Sequence, residues 1–230
     1  MPSLFLSFSN SPRLTKPGLY KIHQGSVLVE FFIGGVMLVL VLLGVLQMLL
    51  LYRGYIHLQQ ATFAAARYSI VNNGTLASLQ HGFIDNSLDI HGGGQTSSAL
   101  LAAYGRAQFA VRTPLLLGGA GVTIERLNPS ALAFTDWSIR QGDQQIIPNT
   151  WQTRVTPTAG PQSNMTIVDA NILKVRITYG YPLHIPIIDR VIGRAMTFID
   201  PGNSLYYQAS PVRLPLTTTA VMHMQSDVYQ

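Results

Sequence analysis

The chain has 230 residues, of which 47% are apolar and 11% charged, with a formal net charge of +5 and no cysteine. Charge falls well short of the roughly 25% usual in soluble globular domains, which points to a non-aqueous environment for part of the chain. The missing cysteines exclude disulfide staples, thiolate nucleophiles and cysteine metal sites. The length suits one globular domain plus an anchor.

Residues 1–25 form a leader in which Arg13, Lys16 and Lys21 supply three of the positive charges. The other basic residues are scattered singly, with no basic run and no aromatic-basic stripe, so the electrostatic footprint of nucleic-acid binding is missing. Residues 31–52 read FFIGGVMLVLVLLGVLQMLLLY, without an ionisable group and with Gln47 as the single strongly polar side chain. As a helix this run rises about 33 Å, the hydrocarbon thickness of a bilayer. A buried core helix typically stops near 10 to 14 apolar residues, and a removable secretory signal has an apolar core of about 7 to 15. The run is therefore predicted to be a single-pass anchor. Arg13, Lys16 and Lys21 precede it and Arg53 alone follows at once, so the positive-inside bias predicts a cytoplasmic amino terminus and a periplasmic remainder.

Glu30 opens the apolar run. An ionised carboxylate is costly to bring into hydrocarbon unless a cation neutralises it, although one that stays wet favours the positive end of the helix dipole. Gly25 stands five residues earlier, where the basic segment meets the apolar one. The stretch GSVLVE at residues 25–30 resembles the prepilin peptidase site of the type IV pilin superfamily. The resemblance implies cleavage after Gly25, Ser26 as the new and methylatable amino terminus, and Glu30 as the fifth mature residue. It also implies that Glu30 pairs with the terminal amino group of a neighbouring subunit.

Beyond the anchor, RGYIHLQQATFAAARYSIVNNG at residues 53–74 predicts a helix that continues to Val71 and ends at Asn72-Asn73-Gly74. Unbroken from Ser26, it would be about 69 Å long. Ala61 and Ala65 share one face, where small side chains let another helix approach closely, although such residues also occur in ordinary alanine-rich helix.

Three segments, VEF at 29–31, LLG at 42–44 and QQATFAAARYS at 59–69, resemble the amino-terminal signature of TadE-like minor pseudopilins of tight-adherence pilus assembly. LKVRITYGYPLHIPII at 173–188 and RLPLTTTAVMHMQS at 213–226 are more loosely similar to the closing pattern of that family. The resemblance implies a structural and assembly component in the inner membrane. Its partners would be the prepilin peptidase, other pilin or pseudopilin subunits and the assembly platform. Gly34-Gly35 departs from the family, whose members often carry a proline in the membrane helix.

Residues 73–95 are polar and glycine-containing and read as a linker, and no Lys-Ser/Thr pair follows Gly92 to Gly94 to make a phosphate loop. Residues 96–112 predict a helix, with Leu100, Leu101, Tyr104, Phe109 and Val111 partly at helical spacing before Pro114. Alternation predicts strands at 122–127, 172–179 and 212–224, while 189–199 reads equally as a short helix or an extended excursion. The expected fold is α+β: a long amino-terminal helix, then a periplasmic domain over 96–230 with an antiparallel sheet and one or two helices.

His23, His57, His81, His91, His184 and His223 form no HExxH pair, Asp85 and Asp89 lack EF-hand context, and there is no G-x-S-x-G elbow. Trp137 and Trp151 read as core or interface anchors rather than a ligand cage. No catalytic residue, metal, cofactor or small-molecule substrate is expected. The competing expectation is an uncleaved, signal-anchored periplasmic adaptor of a secretion or envelope complex.

Overall fold

The computed structural model describes residues 24–153 and 158–230, with side chains from Val29 onward; Arg13, Lys16, Lys21, His23 and Pro157 lie outside them. The chain divides into two compact units at the Leu40/Val41 boundary. In the first, the described residues belong to helix α1 (Gln24–Val71), and apolar side chains such as Phe31, Phe32 and Met37 stand exposed.

The second unit begins inside α1. One face of α1 turns inward from Gln47 on: Gln47, Leu51, Leu58, Ala61, Ala65, Ala66 and Ile70 are buried. The helix stops where expected. Asn73 and Gly74 take φ of 66° and 63°, a left-handed backbone that Asn and Gly tolerate best, and the Gly74 N–H closes onto the Ser69 carbonyl at 2.9 Å.

The expected linker over residues 73–95 instead carries helix α2 (Leu76–Asn86). Its polar composition hides an apolar face, because Leu79, Phe83 and Ile84 are all buried, and Thr75 caps it by accepting the Ser78 N–H at 3.1 Å. Helix α3 (Ser97–Arg112) follows, capped by Thr96 and ended before Pro114, with a short 3-10 turn at Leu115–Leu117 behind it.

The remaining elements are β1 (Thr123–Asn128), α4 (Ala131–Trp137), β2 (Ile139–Gln141), β3 (Gln144–Ile147), α5 (Ile167–Ala170), β4 (Ile172–Pro182), α6 (Ile188–Ile199), α7 (Ser204–Gln208), β5 (Arg213–His223) and β6 (Val228–Tyr229). The three expected strands form one antiparallel sheet in the order β1-β4-β5, with Ile177 opposite both Ile124 and Thr218. A second antiparallel sheet, β2-β3-β6, joins residues of low strand signal. Residues 189–199 fall in helix α6, so the described part of 96–230 holds two helices of more than ten residues, α3 and α6, as the expected α+β fold had it, with α2 packed beside them from the preceding segment.

Strand β4 alternates as a half-buried strand must: Leu173, Val175, Ile177 and Tyr179 are buried, while Lys174 and Arg176 are exposed. Its inner face packs on α1, α2 and α3 through Leu58, Ala61, Ala65, Phe83 and Ala110. A second cluster joins Ala66 and Ile70 of α1 to Phe134, Ile147, Ile167 and Val228. Trp137 and Trp151 sit half-buried at its edge, and the Trp137 indole N–H donates to the Met165 carbonyl at 3.0 Å. Each large side chain so buried contributes roughly 1.5–3 kcal/mol, which makes α1 the element both clusters depend on. Thr62, fully inside, donates to the Leu58 carbonyl at 2.8 Å and meets the Thr218 hydroxyl at 2.6 Å, tying α1 to β5.

Candidate functional site

Among the described residues, α1 is the one helix long and apolar enough to cross a membrane; its most apolar stretch has a mean hydropathy of 2.6 and is unburied. Glu30 is exposed near the start of this stretch and makes no ion pair among the described residues. Gly25 and Ser26 lie in the first turns of α1, and their surroundings are outside the described side chains. Gly34 and Gly35 have open space around them, and α1 runs through them as helix.

Ala61 and Ala65 face inward, and the helix that comes close belongs to the same chain. A Cβ added at Gly82 of α2 would lie 3.1 Å from the Ala65 Cα and 3.2 Å from its carbonyl oxygen, so the two backbones cross nearly in contact there.

Gln47 is 0% exposed although it lies within the apolar run. Its side-chain oxygen accepts the backbone N–H groups of His184 and Ile185, whereas its Nε2 has no hydrogen-bond partner among the described residues. About two turns further on, Gly54 leaves room for the Tyr181 ring, which a Cβ there would overlap. Tyr181 also meets His184 edge-on, with ring centroids 5.5 Å apart. The polar exception in the anchor was visible in the sequence; its partner 137 positions away carried no local signal.

Beside this junction a cavity of about 680 Å³ opens between α3 and the end of β4, lined among others by His91, Arg106, Phe109, Tyr179, His184 and Arg213. The Arg106 Nε donates to the His91 carbonyl at 2.8 Å, and Arg213 donates to the Gly180 carbonyl at 2.9 Å. The His91 Nδ1–H donates to the Ser87 carbonyl at 2.8 Å, leaving a buried, unpartnered Nε2. Burial pushes the His91 pKa below its usual 6.5, the Ser87 bond opposes this, and Arg106 and Arg213 add to the lowering. Burial likewise pushes the Tyr179 phenol up to about 12. The cavity therefore combines the guanidinium groups of Arg106 and Arg213 with the imidazoles of His91 and His184, and no carboxylate lines it among the described residues. Such a lining attracts negative charge.

Compared with known proteins, the chain matches no family model, no curated protein and no solved structure.

Proposed function

We propose that this chain is a minor pseudopilin of the TadE-like kind: a structural and assembly subunit of a type IVb, tight-adherence pilus or a related secretion machine, and not an enzyme. It is held by a single pass in the bacterial inner membrane, with its amino terminus in the cytoplasm and its α+β domain in the periplasm. The observation that carries this reading is the division of labour along α1. One part is apolar and exposed on most of its surface, with Glu30 its only charge as far as Tyr52, and a later part is the buried spine of an antiparallel domain.

A helix of this kind serves two purposes. The apolar part suits lipid before assembly and neighbouring helices after it, and Glu30 then needs a cation from another subunit to offset its desolvation. The amino group of a neighbouring Ser26, freed by cleavage after Gly25, is that cation.

Mass spectrometry of the protein recovered from membranes tests the reading. The expected product begins at Ser26, with or without a methyl group. An intact Met1 on chains that are already part of the assembly would overturn the processing claim and leave the uncleaved adaptor in its place.

A further inference from the structure

Helix α6 has the sequence IDRVIGRAMTFI, and its two faces differ sharply. Ile188 and Gly193 are buried and Ile192, Met196 and Thr197 half-buried, so these face the domain. Gly193 rests on the chain just before β5, where an added Cβ would stand 2.9 Å from Val212 and 3.2 Å from the Tyr207 carbonyl. The outer face carries Val191, Ala195 and Phe198, spaced to form one stripe, with Ile199 at its edge and Ile187 exposed in the turn before the helix. Phe198 is 88% exposed and Ile199 75%, and no described element covers them.

Two exposed guanidiniums, Arg190 and Arg194, lie along the stripe, and neither makes an ion pair among the described residues. The acids nearby are committed to the backbone or to neighbours. Asp189 accepts the Arg190 backbone N–H at 2.7 Å, and Asp200 accepts from Asn203 and Tyr207. An apolar stripe edged by unpaired arginines is the composition of a helix that lies in a membrane interface.

The junction at Gln47 supplies the second, independent observation. Three residues before α6 begins, the chain is pinned by His184 and Ile185 to Gln47, where Val45, Leu46, Met48 and Leu49 of α1 still present bare apolar side chains. The turn between them holds Ile187, a β-branched residue, at φ 76°, a backbone conformation that such residues rarely adopt. The chain enters α6 beside the apolar part of α1, not out in the polar part of the domain.

We propose that α6 is an interfacial membrane helix: Ile187, Val191, Ala195 and Phe198 bury in the boundary between headgroups and acyl chains, and Arg190 and Arg194 hold the phosphates of anionic lipids. The domain is thereby held against the leaflet into which α1 passes. This inference rests on the membrane-anchored reading of α1, and the test separates the two.

The absence of cysteine permits single-cysteine labelling of the full chain. Ala195→Cys on the stripe, Leu42→Cys in the apolar run and Asp143→Cys at the tip of the β2-β3 hairpin each receive a polarity-sensitive fluorophore. The chains are reconstituted in vesicles of phosphatidylethanolamine and phosphatidylglycerol with nitroxide-bearing acyl chains. Severalfold loss of emission at positions 42 and 195, but not at 143, is the expected result. Loss at 42 with none at 195 would overturn the interfacial helix and leave the anchor standing, whereas no loss at 42 would overturn the anchor itself. Shielding at 195 that appears only as protein is enriched over lipid would show a second copy as the occupant and overturn the lipid assignment. Replacing both Arg190 and Arg194 by Gln should weaken the effect at 195 in anionic vesicles; an unchanged signal would remove the arginines from the proposal.

Discussion

The side-chain oxygen of Gln47 holds the backbone N–H of Ile185 at 3.0 Å and that of His184 at 3.2 Å, so one amide joins the apolar helix to the turn that enters α6. Gln47→Leu keeps the volume and deletes the acceptor. Each amide left buried without a partner costs about 1–3 kcal/mol. Denaturant unfolding in detergent should show a loss of that order, and amide exchange at residues 183–188 should accelerate more than exchange in β4. Unchanged protection at His184 and Ile185 would count against the junction.

Two helical glycines should respond with opposite sign. Gly82 faces the Ala65 backbone and the Tyr68 Cβ at 3.0–3.2 Å, so Gly82→Ala forces α2 away from α1, and Gly82→Leu does so further. Overpacking of this kind costs about 1–3 kcal/mol. Gly105 in the middle of α3 has nothing within 4 Å of an added Cβ, and Gly105→Ala should stabilise by about 0.5–1 kcal/mol through helix propensity. Urea midpoints of the two variants, measured at equal slope, should lie on either side of the wild type.

Acid should weaken the domain through His91. The folded state holds this imidazole below its ordinary pKa of 6.5, because of burial and then the nearby Arg106 and Arg213. The unfolded chain therefore binds the proton first as pH falls, and stability drops below about pH 6.5 by at most about 1.4 kcal/mol per pH unit; above that pH the group has no effect. Melting temperatures taken on descending from neutral pH should show this slope, and His91→Asn should flatten it.

On the proposed pseudopilin reading, Glu30→Ala should leave the proposed cleavage after Gly25 and the stability of the domain unchanged, since Glu30 is exposed and makes no ion pair among the described residues. If Glu30 pairs with a neighbouring subunit as proposed, incorporation into the assembly should fall, because stripping one member from a buried ion pair costs roughly 3–5 kcal/mol, about a hundredfold or more in association. Comparing sheared pilus fractions by immunoblot measures it, and a wild-type yield would refute the pairing.

Strong local signals read correctly from the sequence. Asn72-Asn73-Gly74 marked the end of α1, because a left-handed backbone suits those residues, and Thr96 with Pro114 bracketed α3. Alternation in β4 and β5 reported a sheet with one face inside. Helix α2 was missed because its serine, histidine and glutamine outweighed the spacing of Leu79, Phe83 and Ile84. Strands β2, β3 and β6 are too short to alternate, and tertiary partners place them. At the candidate site, Glu30 and Gln47 stood out as polar exceptions, but the pairing of Gln47 with residues 184 and 185 spans the chain and leaves no periodic trace. Ala61 and Ala65 were compatible with a close approach and equally with ordinary alanine-rich helix, and the fold names Gly82 as the residue opposite Ala65.

The hydroxyls of Thr62 and Thr218 meet at 2.6 Å across 156 positions of chain. A polypeptide is made from its amino end, so the early helix must wait, uncovered on its inner side, until the late strand β5 has been synthesised. Native closure is therefore a slow, non-local event, governed by the entropy of a very long loop. Throughout that interval the nascent chain displays a sticky surface that invites a chaperone or an aggregate.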